Sequence, residues 1–190
     1  MKAGRLRPAP TLLIRMVNSL HEVRIHAIQL QCIGVKSLEL VRADGGAILG
    51  QTPGAHIDVR LPQGQVRSYS LIDVSRDGHR CRIAVKREAH GRGASKWLHD
   101  VASVGTKLEA SAPVNHFPLV EEASRSVLVA GGIGITPVLS MIRRLSELGR
   151  AWELHYAAAS AECMPFHDEI TQLAQGAGAS FESYRSDSGT

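Results

Sequence analysis

One stretch does most to limit what this chain can fold into. Val127-Leu128-Val129-Ala130 is an unbroken apolar run, the pattern of a strand buried on both faces of a parallel sheet. It leads straight into Gly131-Gly132-Ile133-Gly134-Ile135-Thr136-Pro137. Thr136 suits a helix cap and Pro137 a first helical position. Val138, Met141, Ile142 and Leu145 then recur at helical spacing, and Gly149 suits the helix end. Strand, glycine-rich turn and helix in that order call for an α/β layer. In that setting the glycines let a ligand's phosphates approach the backbone at the helix N-terminus. The run is not G-x-G-x-x-G, and a tight β–α turn also forms for packing alone. Trp152-Glu153-Leu154-His155-Tyr156-Ala157 reads as a second strand. Phe166, Ile170, Leu173 and Ala174 mark one face of a second helix, and Ser180-Phe181-Glu182-Ser183-Tyr184 a third strand.

The residues before this layer have a different period. Val23 to Ile28, Ser37 to Val41 and Ile57 to Leu61 alternate apolar and polar side chains, which is the signal of half-buried strands. Turn signals separate them at Asp44-Gly45-Gly46, Pro53-Gly54 and Asp77-Gly78, the last a hairpin turn leading into Arg82-Ile83-Ala84-Val85-Lys86. Val104 to Ala110 closes the series. Several short strands at such spacing predict a sandwich or small barrel. Pro113 and Pro118 bracket a linker, and the boundary between halves is expected near Glu121.

Two stretches of the first half carry chemistry. Val66 opens a strand that presents Arg67, Ser68, Tyr69 and Ser70 within four residues. Arg67 offers a fixed fork of donors suited to a phosphate. Tyr69 offers a flat ring for stacking, and the serine hydroxyls hydrogen-bond a heterocycle's edge. Further on, Gly91-Arg92-Gly93-Ala94-Ser95-Lys96-Trp97-Leu98 reads as a tight turn into a short helix with Ser95 as its N-cap. A helix start after glycines presents free N–H groups to an anion, and Lys86, Arg87 and Lys96 add positive charge.

Composition excludes several classes. The chain has 190 residues, 44 % hydrophobic and 21 % charged, with a formal net charge of +4 and 4 % aromatics. That is globular, and with no aromatic-plus-basic stripe a nucleic-acid partner is not expected. The apolar run at Leu12-Leu13-Ile14 stops at Arg15, too short for a signal-peptide core. Nothing approaches the ~20 apolar residues of a membrane span, so a soluble, cytoplasmic protein is expected. Cys32, Cys81 and Cys163 lie far apart, without C-x-x-C spacing. They read as idle thiols of a reducing compartment. A plant-type [2Fe–2S] cluster needs four thiolates, so none is expected in this chain, and no metal site is assigned.

Taken together, Gly54-Ala55-His56-Ile57-Asp58-Val59, Arg67-Ser68-Tyr69-Ser70-Leu71, Ala84-Val85-Lys86-Arg87, Gly91-Arg92-Gly93-Ala94-Ser95, Asn115-His116-Phe117-Pro118-Leu119 and the stretch from Ala130 to Pro137 resemble the ferredoxin-NADP⁺ reductase superfamily. The match is to its phthalate dioxygenase reductase and vanillate demethylase reductase group, from about residue 20 to 175. The resemblance implies a six-stranded antiparallel flavin-binding β-barrel followed by a partial α/β, Rossmann-like nucleotide-binding domain. The expected division is an N-terminal extension over 1–19, an FMN-binding barrel over 20–120 and a partial NAD-binding domain over 121–190. Arg67 would pair with the flavin phosphate, with Ser68, Tyr69 and Ser70 along the isoalloxazine and Val85, Lys86 and Arg87 lining it. Gly93, Ala94, Ser95 and Lys96 would bind the phosphate. Gly131, Gly132, Gly134, Thr136 and Pro137 would receive the nicotinamide nucleotide. The implied chemistry is hydride transfer from NAD(P)H to FMN, with FAD the lesser candidate, then one-electron export toward an iron–sulfur centre serving a Rieske-type oxygenase.

The departures from that family are specific. Its later Cys-Gly motif and [2Fe–2S] domain are not found in the 190 residues, Ala94 stands where Gly is usual, and Ala159 replaces a common Arg. The chain therefore reads as a truncated form. Two alternatives follow, a flavin-binding module without turnover and a reductase that uses a separate ferredoxin. NADH is expected over NADPH, because the part present shows no basic cluster for a 2′-phosphate.

Overall fold

Period-two alternation in the first half builds an antiparallel sheet that closes on itself. The structure is a computed structural model and describes residues 20–176 and 178–186. The expected extension over 1–19 and the tail 187–190 lie outside the described residues. β1 (His21–Cys32) pairs with β2 (Val35–Arg42) through a tight turn at Gly34, and β2 pairs with β6 (Arg80–Lys86). β1 also pairs with β7 (Lys107–Ala110), which pairs with β3 (His56–Arg60), and β3 pairs with β4 (Val66–Ser70). A two-residue strand β5 (Asp73–Val74) lies on the free side of β6.

The order is thus β4-β3-β7-β1-β2-β6-β5, seven strands where six were expected. The difference has a simple cause. β4 and β5 are consecutive in the chain, and the segment between them changes partner. The Leu71 N–H donates to the Ala55 carbonyl on one side, and the Ile72 N–H donates to the Arg82 carbonyl on the other, both at 2.8 Å. One continuous stretch thus runs from one edge of the sheet to the other and closes it as a barrel. The expected hairpin at Asp77-Gly78 joins β5 to β6, and Asp77 Oδ1 accepts the His79 N–H at 3.0 Å. Inward side chains such as Ile25, Leu38, Leu40, Ile57, Val59 and Ile83 fill the interior.

The helix α1 (Ala94–Asp100) caps the barrel, burying Ala94 and Leu98. It begins two residues earlier than expected, and Ser95 is not its cap. Gly93 precedes it in the left-handed region at φ 94, and the Ser95 Oγ accepts the Glu88 N–H at 3.1 Å. The glycine reaches a backbone angle that other residues strain to adopt, and it sets the helix start without a side-chain cap.

The second half is a three-stranded parallel sheet in the order β10-β9-β8. Its strands are β8 (Arg125–Gly131), β9 (Ala151–Ala158) and β10 (Ala179–Arg185). A 3₁₀ turn, Gly132–Gly134, leads from β8 into α2 (Ile135–Glu147), and a second, Ala161–Cys163, precedes α3 (His167–Leu173). Thr136 is not a cap either. It lies inside α2, and its Oγ1 donates back to the Ile133 carbonyl at 3.0 Å. Leu139, Ile142, Trp152, Leu154, Tyr156 and Ile170 share one core. The two-sided burial expected for β8 is found on one face only. Val127 is 62 % and Val129 75 % exposed, whereas Ala130 is buried. Among the described residues, the packing residues of both helices join the face that carries Leu154 and Tyr156, and the opposite face of β9 is polar, with Glu153 and His155.

Candidate functional site

β4 stands at the closing seam of the barrel, with Tyr69 opposite Ile57 and Arg67 opposite Val59 on β3. Val85 and Lys86 end β6, which abuts the glycine-rich 3₁₀ turn. Between these elements opens a cleft of about 570 Å³. Arg67, Ser68, Tyr69 and Ser70 line it from β4, Val85 and Lys86 from β6, Ala94 and Ser95 from α1, and Gly134, Thr136 and Pro137 from the turn and α2. Residues from three distant stretches of sequence therefore meet in one cavity that spans both halves of the fold. A larger open groove, about 850 Å³ between β1 and α3, receives none of the residues expected to bind flavin or nucleotide.

Five of the singled-out residues lie outside the cleft lining. The Arg87 guanidinium forks onto Asp100, with Nε and Nη2 donating at 3.1 and 2.8 Å. This ion pair holds the Asp100 carboxyl below its usual range. Lys96 is the third residue of α1, and Gly93 shapes its start. Gly131 ends β8, and the Gly132 carbonyl accepts the Tyr156 hydroxyl at 3.1 Å. Ala94 is helical, so its N–H keeps the direction that a glycine there would give it.

The cleft also gathers residues the sequence reading left unassigned. Ala84, Glu88, His90, Gly91, Arg92 and Ile133 line it. Gln65 supports it from behind. Its Nε2 donates to the Arg92 carbonyl at 2.7 Å, while its Oε1 is buried without a hydrogen-bond partner among the described residues. Gln65 shares the parity of Arg67 and Tyr69, so the period of the strand pointed to it. Arg67 Nη1 donates to the Val66 carbonyl at 2.7 Å, and Lys86 lies 3.4 Å from Glu88. Burial pushes the Tyr69 phenol up, opposed in part by Arg67, so the ring stays neutral at ordinary pH.

The linker 113–118 is pinned to β3 and to the turn that precedes it. Val114 bridges His56, and the Asn115 amide donates to Thr52 Oγ1 at 2.7 Å and to the Pro53 carbonyl at 2.9 Å. No group of three metal-ligating side chains is present among the described residues. No helix among them is long and apolar enough to cross a membrane.

No protein-family model matches the chain. Individual proteins do. The tetrachlorobenzoquinone reductase of Sphingobium chlorophenolicum is 48 % identical over 148 residues, covering 77 % of this chain and 45 % of that protein. The vanillate O-demethylase oxidoreductase of Pseudomonas putida is 48 % identical over 134 residues, covering 70 % of this chain and 42 % of that protein. The crystal structure of phthalate dioxygenase reductase, described as modular for electron transfer from pyridine nucleotides to [2Fe–2S], superposes with a TM-score of 0.82. It is 34 % identical and covers 90 % of this chain and 53 % of that one. This chain is a relative of the oxygenase reductases of the phthalate and vanillate type.

The chain spans a little under half the length of the curated relatives it matches. The structural likeness to this reductase group takes in both the barrel and the parallel layer, since it covers nine-tenths of the chain. The resemblance read from the motifs therefore holds at the level of sequence and of fold.

Proposed function

We propose that the cleft binds FMN and that the protein acts in the cytoplasm as an NADH-dependent reductase component of a Rieske-type oxygenase system. The observation that carries this reading is the convergence of the Arg67–Ser70 strand, the turn into α1 and the Gly134–Pro137 turn on one cavity. Its volume lies within the range of cofactor sites. Arg67 and Lys86 supply positive charge for a phosphate, and Tyr69 a ring face. These residues fit a flavin nucleotide.

When bound, FMN supplies acceptance of a hydride and release of single electrons, and the protein supplies position and electrostatics. Arg67 would hold the phosphate, with the N–H groups at the start of α1, at Ala94 and Ser95, beside it. Tyr69 and Ser70 orient the ring system. The Gly131–Gly134 turn allows close approach of the nicotinamide nucleotide, and Thr136 and Pro137 fix the wall it meets. FMN is favoured over FAD by the resemblance. The acceptor would be an iron–sulfur centre held by other residues, either that of the oxygenase system or a separate ferredoxin. Two core clusters, one within the barrel and one centred on the parallel sheet that also takes in Val35, Ile72 and Ala84 at the junction, support a division into a flavin unit over 20–120 and a nucleotide unit over 121–190.

The test is to reconstitute the chain with FMN, remove oxygen, add NADH and follow the visible flavin absorption. Bleaching is expected. A chain that retains no flavin overturns the proposal, and a bound flavin that stays yellow reduces the protein to a flavin-binding module. Cytochrome reduction that appears only when a ferredoxin is added identifies the acceptor as separate.

A further inference from the structure

The barrel and the parallel layer meet backbone to backbone at one point beside the large groove. The Ile33 N–H, just past the end of β1, donates to the Glu162 carbonyl in the 3₁₀ turn before α3, at 3.0 Å. Cys32 immediately precedes the donor and Cys163 immediately follows the acceptor. Segments joined by such a bond run about 5 Å apart, within the Cα separation a disulfide spans. Both cysteines are free and partly exposed. Burial, and then the nearness of Cys163, push the Cys32 thiol up to about 11. Cys81 is the contrast: it is buried inside the barrel, and burial drives its thiol up to about 12.

We propose that Cys32 and Cys163 are a redox modification site, closing to an intramolecular disulfide when the protein meets a low-molecular-weight disulfide such as oxidised glutathione. Cys32 is held protonated, so Cys163 is the entry point. Its thiolate attacks one sulfur of oxidised glutathione, breaking that S–S bond and releasing one glutathione thiolate. Cys32 then loses its proton, and its thiolate attacks the Cys163 sulfur of the mixed disulfide, forming the protein S–S bond and releasing the second glutathione thiolate. The protein loses two hydrogens and two electrons, and two glutathione thiols are formed. The cross-link fastens the end of β1 to the turn that leads into α3. Tyr156, whose hydroxyl donates to the Gly132 carbonyl of the glycine-rich turn, lies close enough to Cys32 to feel its charge. The bond closes a long loop, the case in which a disulfide restricts the unfolded chain most.

The experiment treats the full chain with oxidised glutathione, blocks remaining thiols and maps peptides without reduction. The expected result is a peptide pair joined through Cys32 and Cys163 in monomeric protein, with a melting temperature several degrees higher that dithiothreitol returns to its starting value. Cys32→Ser and Cys163→Ser each keep the untreated melting temperature; Cys32→Ser shows a glutathione adduct on Cys163, whereas Cys163→Ser leaves Cys32 largely unreacted. Separate adducts or unreacted thiols at both positions of the unsubstituted chain overturn the proposal, as does a link formed only between two chains. The readout needs neither flavin nor nucleotide, so it stands or falls apart from the proposed function.

Discussion

Arg67 and Arg87 show how far residue type alone carries an assignment. Both are arginines at strand ends in motif-bearing stretches, and both were expected at the flavin. Only Arg67 lines the cleft, while Arg87 is forked onto Asp100, 13 residues on and across a helix. That partner is invisible to a period-two pattern, because it depends on where α1 lies against β6. Arg67→Ala should weaken FMN binding about 10- to 100-fold, the loss of one charge-assisted hydrogen-bonding group. Arg87→Ala should change it less than about 2-fold. Flavin fluorescence titration of the two variants checks this, and equal losses would count against the assignment of Arg67. Gly54 makes the same point for stability. The sequence marked it as turn punctuation, yet it has φ +91 and a Cβ there would stand 1.9 Å from the Phe117 carbonyl oxygen and 2.9 Å from Met141 Cε. Its N–H donates to Ser140 Oγ on α2 at 3.0 Å, joining the halves. Gly54→Ala combines a forbidden φ with overpacking and should cost about 3 kcal/mol in urea unfolding.

At the scale of elements, strands and helices were legible wherever one face is buried. β3, β6, β9 and α2 fall where their periodicity put them. The capping of α1 and α2 was not legible, because Ser95 and Thr136 are apt cap residues that the chain uses for other hydrogen bonds. Nor did the apolar run of β8 say how many faces would be covered, since an unbroken run carries no parity. The structure separates the two sides. Leu154, fully buried in the central strand between α2 and α3, should lose about 3 kcal/mol on truncation to Ala. Val129, on the bare face, should tolerate Thr within about 0.5 kcal/mol. Parallel urea titrations measure both, and a large cost at Val129 would show that its face is covered in solution.

For the whole molecule, what lies between the halves was least legible, because it is built from side chains that meet only after folding. Asp73 and Arg82 of the barrel interlock with Arg143 of α2 and Glu169 of α3, at 2.6 to 3.1 Å, and Arg82 also lies over the Phe166 ring. A second link has a pH signature. Glu121, at the expected boundary, accepts a two-pronged hydrogen bond from Arg144 of α2, both prongs at 2.9 Å. That bond holds the Glu121 carboxyl below its ordinary value of 4.5. A carboxyl whose folded pKa is lowered binds its proton less readily folded than unfolded. Its contribution is therefore fully present above pH 4.5 and is lost as the pH falls through the lowered value. Glu121→Gln should be less stable than the unsubstituted chain at pH 7, and the gap should close on acidification below 4.5. Urea midpoints of the two proteins at matched pH values test this. A gap that stays constant into the acid range would mean that the charge on Glu121 does not hold the boundary segment to α2.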